Sequence, residues 1–115
     1  METEDYKRML TVIIVTFHST KIIERVLNAL DKDIKVIIIE NSRDEKLKSI
    51  LESKYKNVKV IIPKTNLGNG GGINLGFKNV STKYSLYLDA DTVPQKDMIE
   101  VLMNKTSEIK NFSIL

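Results

Sequence analysis

Residues 11–42 read TVIIVTFHSTKIIERVLNALDKDIKVIIIENS, and the fold is decided by how this stretch is read. Its two apolar runs, Thr11–Thr16 (TVIIVT) and Ile34–Ile39 (IKVIII), are short and rich in β-branched residues. That is the pattern of strands buried on both faces. Between them Ile22, Ile23, Val26, Leu27 and Leu30 recur at helical spacing and make one apolar stripe, with Ser19 or Thr20 placed to cap the helix. Strand, helix and strand in that order predict parallel strands joined by a crossover helix.

Further along the chain the alternation continues. Ser42 and Glu45 have capping-box spacing, and Leu47, Ile50 and Leu51 supply the buried stripe of a second helix. Val58–Ile62 reads as a third strand stopped by Pro63, and the turn-forming residues from Pro63 to Gly70 read as a loop. A short helix is expected over Gly71–Val80, and Tyr84–Leu88 (YSLYL) is a fourth strand that runs straight into Asp89-Ala90-Asp91. Pro94 suits a helix start, Met98, Ile99, Leu102 and Met103 mark another amphipathic helix, and Phe112–Leu115 resembles the opening of a fifth strand. The expected fold class is α/β: a mostly parallel sheet flanked by helices on both faces. The whole chain, 1–115, is one domain.

Composition narrows the function. A chain of 115 residues with a 42% hydrophobic fraction can build one core. The net charge of +3, with acidic and basic residues mixed, gives no basis for nucleic-acid binding. It would suit a polyanionic small ligand or peripheral association with an anionic membrane surface. With no cysteine, disulfides, thiolate metal sites and cysteine nucleophiles are excluded. The start METEDYKRML lacks the apolar centre of a signal peptide, and no apolar run approaches the roughly 20 residues of a membrane span. These features lead us to expect a cytoplasmic domain, with the inner face of the membrane as the surface within reach.

In parallel α/β sheets ligands sit beyond the carboxyl ends of the strands. The segments that follow the four strands are Thr16-Phe17-His18, Glu40-Asn41-Ser42, the Asn66–Gly72 loop and Asp89-Ala90-Asp91. Asp89 and Asp91 are carboxylates one residue apart, and oxygen ligands of this kind suit Mg²⁺ or Mn²⁺ bridging to a diphosphate. A lone D-x-D is also a common turn in which Asp91 caps a helix. The stretch Asn66–Gly76 (NLGNGGGINLG) holds all five glycines of the chain. Its backbone could approach a phosphate, or it could serve only close helix–sheet packing. Neither G-x-x-x-x-G-K-[ST] nor G-x-G-x-x-G is present. Glu40 can accept from a ribose or a base N–H, or be a solvated strand end, while Ser42 caps the next helix. Phe17 could stack on a base or belong to the core. His18 is the only histidine, which leaves little basis for a histidine metal cluster or triad.

In this order the four segments resemble family 2 glycosyltransferases: Val15-Thr16-Phe17-His18, then Glu40-Asn41-Ser42, then N-x-G-x-G-G-G-x-N-x-G from Asn66 to Gly76, then Asp89-Ala90-Asp91. The glycine stretch is most similar to the rhamnosyltransferase-like branch that builds bacterial surface polysaccharides. The resemblance covers Val12 through Met103. It implies a Rossmann-like GT-A nucleotide-binding half, incomplete at the C-terminus, and a UDP- or dTDP-sugar donor held through Mn²⁺ or Mg²⁺. It further implies that Thr16 and Phe17 lie near the base and that Glu40, beside Asn41, accepts from base or ribose. Gly70, Gly71, Gly72 and Asn74 would shape the sugar-phosphate side. Asp91 would ligate the metal, and Asp89 would contact the ribose or the metal's water shell.

Three positions depart from the family pattern. Glu40 stands where aspartate is commoner, His18 where asparagine is commoner, and Ile73 at a position that is basic in some relatives. The resemblance also places the acceptor-binding half and its general base beyond Leu115, so no residue of this chain is assigned as catalytic base. The acceptor, whether polysaccharide, lipid or protein, stays open. A chain that is one piece of a longer protein would expose a sheet edge, which favours homo-oligomers. Three alternatives are weighed. One is a non-catalytic nucleotide-binding or regulatory module derived from this fold. A structural receiver-like domain without nucleotide would carry its acidic residues after the first strand, and a sugar nucleotidylyltransferase would carry its glycine-rich loop there, where Thr16-Phe17-His18 stands instead.

Overall fold

A computed structural model of the chain describes residues 6–91 together with Pro94 and Ile99. A single helical turn, α1 (Tyr6–Met9), leads into β1 (Leu10–Thr16), and the chain continues through α2 (Ile23–Ala29), β2 (Lys35–Glu40), α3 (Glu45–Lys54), β3 (Val58–Ile61), α4 (Gly68–Lys78) and β4 (Tyr84–Asp89). The four strands form one sheet in the order β3-β2-β1-β4, with every pair parallel. All seven residues of β1 are buried, which explains its unbroken apolar sequence: it pairs on both edges and is covered on both faces.

Strand order dictates where the helices lie. From β1 to β2 to β3 the chain steps one way across the sheet, and from β3 to β4 it steps back past β1. Crossovers of constant hand then require α2 and α3 on one face and α4 on the other. The first face buries Leu10, Val12, Ile14, Val36 and Ile38 of the sheet against Ile23, Val26 and Leu27 of α2 and Leu47 and Leu51 of α3. The second face buries Val15, Ile37 and Ile39, with Ile61, Ile73, Leu75, Val80 and Tyr87 packed on them.

On that second face α4 lies very close to the sheet. A β-carbon on Gly76 would fall 2.5 Å from Cγ2 of the buried Ile13, and one on Gly72 would fall 2.9 Å from both Val15 methyls. These two glycines, four apart on one helix face, let the backbone of α4 settle onto β1.

Several local expectations are corrected. The helix expected from Gly71 begins at Gly68, so most of the glycine-rich stretch is helix rather than loop. Ser42 does not cap α3: Asp44 does, its side chain accepting the Leu47 N–H at 3.0 Å. Nor does a side chain cap α2. The Ser19 carbonyl accepts the N–H groups of Ile22 and Ile23 instead. Ile50, expected in the buried stripe of α3, is 48% exposed. Ile99 is buried in the core under α2 and α3. The rest of the helix expected around it, and the strand expected at Phe112–Leu115, lie outside the described residues. No helix among the described residues is long and apolar enough to cross a membrane.

Candidate functional site

Register aligns the strand ends. Thr16 pairs with Glu40 across β1 and β2, and Val15 pairs with Asp89 across β1 and β4. Thr16, Glu40, Asn41, Asp89 and the start of α4 therefore meet along the carboxyl edge of the sheet, where the strand order reverses. In a doubly wound sheet this is the position of the ligand crevice.

Asn41 joins two of these segments. Its backbone N–H donates to the Thr16 carbonyl at 2.8 Å. Its side chain accepts the Leu67 N–H at 3.1 Å and donates to the Gly68 carbonyl at 2.9 Å. An amide can donate and accept at once, which a carboxylate cannot. Leu67 is the N-cap of α4, and Gly68 follows it with φ +71, a conformation that favours glycine. The Gly68 N–H is satisfied by the Asn66 side chain at 2.8 Å. The first N–H groups of a helix lack intrahelical carbonyl partners, so this end of α4 carries the positive end of its dipole.

Glu40 is fully buried. Its Oε1 accepts from the Thr16 hydroxyl at 3.0 Å and the Ser42 hydroxyl at 2.6 Å, and its Oε2 accepts the Asp44 N–H at 2.7 Å. Ser42 also receives the His18 N–H at 3.2 Å. His18 has φ +53. Histidine, like the asparagine commoner at this position in the family, is among the few non-glycine residues that tolerate it. The Phe17 ring stands 55% exposed beside the His18 ring, edge-on with centroids 4.3 Å apart. Phe17 is thus not a core residue.

Asp89 and Asp91 are both exposed. The Tyr87 hydroxyl lies 2.7 Å from Asp89 Oδ1 and 3.0 Å from Asn69 Oδ1, so it links the end of β4 to the first turn of α4. Burial pushes the Tyr87 phenol above its ordinary value, and the hydrogen bond to Asp89 adds to the effect, with the charges of Asp89 and Asp91 contributing further. The sequence reading missed Tyr87. The signal that could have found it is strand periodicity, since residues two apart share a face. Gly72 is buried against Val15, Gly71 is half-buried, and Gly70 and Asn74 are exposed on α4.

Among the described residues no three His, Cys, Asp or Glu side chains cluster to form a ready-made metal cage. Two open carboxylates fit a hard divalent cation that keeps some waters and takes its remaining ligands from a phosphate. They do not fit a closed structural site.

Comparison with known proteins agrees with this fold. The family model "Glycosyl transferase family 2" matches residues 11–112. An uncharacterized glycosyltransferase of Rickettsia felis is 32% identical over 91 residues, covering 78% of this chain and 15% of that protein. A crystal structure of S. aureus TarS comprising residues 1–349 superposes with a TM-score of 0.72 at 26% identity, over 86% of this chain and 32% of that one. A second TarS structure, at 24% identity and TM-score 0.73, shares the fold over 86% of this chain and 19% of its own. The chain thus spans about a sixth of the curated relative and a third or less of the solved structures. The fold and the match over residues 11–112 agree: the chain belongs to glycosyl transferase family 2.

Proposed function

We propose that this chain is the donor-binding half of a glycosyltransferase: it holds a nucleoside-diphosphate sugar, UDP- or dTDP-linked, for transfer to a polysaccharide, lipid or protein acceptor. The observation that carries the reading is the position of Asp89 and Asp91. Both are exposed, Asp89 at the carboxyl end of β4 and Asp91 two residues on, and the Tyr87 hydroxyl links Asp89 to the first turn of α4 at the reversal of strand order. Asp91, with Asp89 beside it, would ligate Mg²⁺ or Mn²⁺. Bound there, the cation would neutralise the diphosphate and stabilise the charge of the departing nucleotide.

The chain's own groups divide the remaining work. Phe17 offers an exposed aromatic face to the base. The first turn of α4 faces the anionic side of the donor with the helix dipole behind it. Gly72 keeps that turn against Val15 of the sheet, Gly71 leaves room for the Leu67 side chain, and Asn74 lies on the next turn. No described residue of this chain is assigned as the general base that takes the acceptor's proton.

The test is a thermal shift with UDP or dTDP in the presence of Mn²⁺. At a ligand concentration about 100 times Kd, binding to the folded state alone adds about 2.7 kcal/mol of stability. Asp91→Ala should remove the shift while leaving the unliganded melting temperature unchanged. If no nucleoside diphosphate moves the transition with either cation, the reading fails.

A further inference from the structure

We propose that Glu40 is a positioning residue that sets the Phe17–His18 corner through Ser42 and does not itself touch the nucleobase. This rests on the donor-site reading above, because it assigns the base to the Phe17 ring. Four observations point to it. Glu40 has no exposed surface. Three protein donors already engage its carboxylate: the Thr16 and Ser42 hydroxyls on Oε1 and the Asp44 N–H on Oε2. Ser42 passes the connection on by accepting the His18 N–H. At the far end of this chain of hydrogen bonds His18 holds φ +53, and the Phe17 ring stands open against it.

The physical logic follows from burial. A buried carboxylate is tolerated only when donors surround it, and here the donors come from the end of β1 and from the turn between β2 and α3. They converge on one point and fix the two segments relative to each other. The glutamate is one methylene longer than the aspartate commoner at this position. The extra length suits a carboxylate that must reach both the Thr16 hydroxyl across the strand pair and the Asp44 N–H four residues on. His18 occupies a backbone region that most residues avoid; the Ser19 hydroxyl braces the Phe17 backbone from within the loop, and the Ser42 bond to the His18 N–H is what ties the corner to Glu40. The Thr16–Glu40–Ser42 cluster is therefore the support of an aromatic platform, and the ligand chemistry it serves is the π-face of a nucleobase rather than its hydrogen-bonding edge.

UDP and CDP discriminate between a contact and a support. Uracil presents an N3–H donor where cytosine presents an acceptor, so a glutamate that touched the base edge would favour one over the other. With Mn²⁺ present, Glu40→Gln should weaken UDP and CDP by the same factor, about ten-fold. The loss caused by Phe17→Ala should shrink in the Glu40→Gln background, because the two act as one unit. Ser42→Ala, which leaves Glu40 with its Thr16 and Asp44 partners, should reproduce a weaker form of the same behaviour.

Without any nucleotide, hydrogen exchange at the His18 amide should accelerate in both variants while core amides of β1 stay protected. A change in the UDP-to-CDP ratio in Glu40→Gln would overturn the proposal by making Glu40 a base contact. So would unchanged His18 exchange in both variants, or strictly additive losses for Phe17→Ala and Glu40→Gln, since either would reduce Glu40 to a contribution to stability. If the wild-type chain binds neither nucleotide, the donor-site reading fails, and the base-facing role of the corner fails with it. The exchange data still decide whether Glu40 holds that corner.

Discussion

Under α2 and α3 the sheet presents Val12, Ile14, Val36 and Ile38 to Ile23, Val26, Leu47 and Leu51, with large aliphatic side chains on both sides of the contact. Under α4 the same strands present Ile13 and Val15, but the helix brings Gly72 and Gly76 to meet them. One face is held apart by side-chain volume and the other is drawn together by its absence. The first arrangement buries the greater amount of apolar surface and so carries most of the stability. The second holds α4 low against β1, so that its first turn reaches Asn41 at the end of β2 and Tyr87 near the end of β4. Most of the stability and the placement of α4 at the candidate site are thus assigned to opposite sides of one sheet.

Substitutions on each face can break this division. The largest effect is expected on the aliphatic side: Leu51→Ala, at a fully buried position, should cost about 2–5 kcal/mol in urea unfolding. If nucleotide binding is corrected for the unfolded fraction, it should change little. A smaller loss, about 1–3 kcal/mol, is expected for Gly76→Ala, because its β-carbon would overlap the buried Ile13 and force α4 outward. Here nucleotide binding should suffer out of proportion to stability. Equal effects of the two variants on binding would dissolve the distinction between the faces. Gly70 sharpens it from the other side. Nothing lies within 4 Å of where its β-carbon would be, so Gly70→Ala should raise stability by roughly 0.5–1 kcal/mol through helix propensity alone.

The smallest effect concerns the rim of the aliphatic face, where Glu24 of α2 accepts from Lys54 at 2.6 Å and from the Tyr55 hydroxyl at 2.8 Å on the α3 side. Lys54, and then Tyr55, hold the Glu24 carboxyl below the usual carboxylate value. Its contribution is therefore present above the unfolded-state value and disappears as pH falls through the lower folded-state value. Because the pair is exposed, the effect is small. The difference in melting temperature between wild type and Glu24→Gln should be measurable at pH 7 and should close in acid. A gap independent of pH would assign the loss to something other than this carboxylate.

The strands were legible from sequence because runs such as TVIIVT and KVIIIE can be satisfied only by burial on two faces, and their alternation with amphipathic helices leaves few topologies. The strand-end rule then drew attention to the right edge, and the structure brings Thr16, Glu40, Asn41, the start of α4 and Asp89 together along it. The start of α4 was misread because glycine is a poor helix former. Local propensity placed a loop at Gly68–Gly70, whereas the Asn41 clamp on Leu67 and Gly68, together with close packing on β1, starts the helix there. Ser42 matched a capping-box spacing, but Asp44 took the cap and left the Ser42 hydroxyl for Glu40. Tyr87 drew no notice because its partners, Asp89 and Asn69, converge only when β4 lies beside β1 and α4 crosses over them.

By itself the sequence determined the four strands, the parallel sheet and the family, since periodicity, β-branched runs and ordered short motifs are properties of the chain read locally. What only the tertiary structure decided is which polar groups are spoken for. Glu40 and Asn41 read as open strand-end residues, yet both are buried and bonded to protein, while Phe17, Asp89 and Asp91 are left open. The reason is physical. Whether a strand-end side chain faces water or is enclosed depends on the segments that cross above it, and here those segments come from up to 27 residues away, as the Asn41–Gly68 bond illustrates.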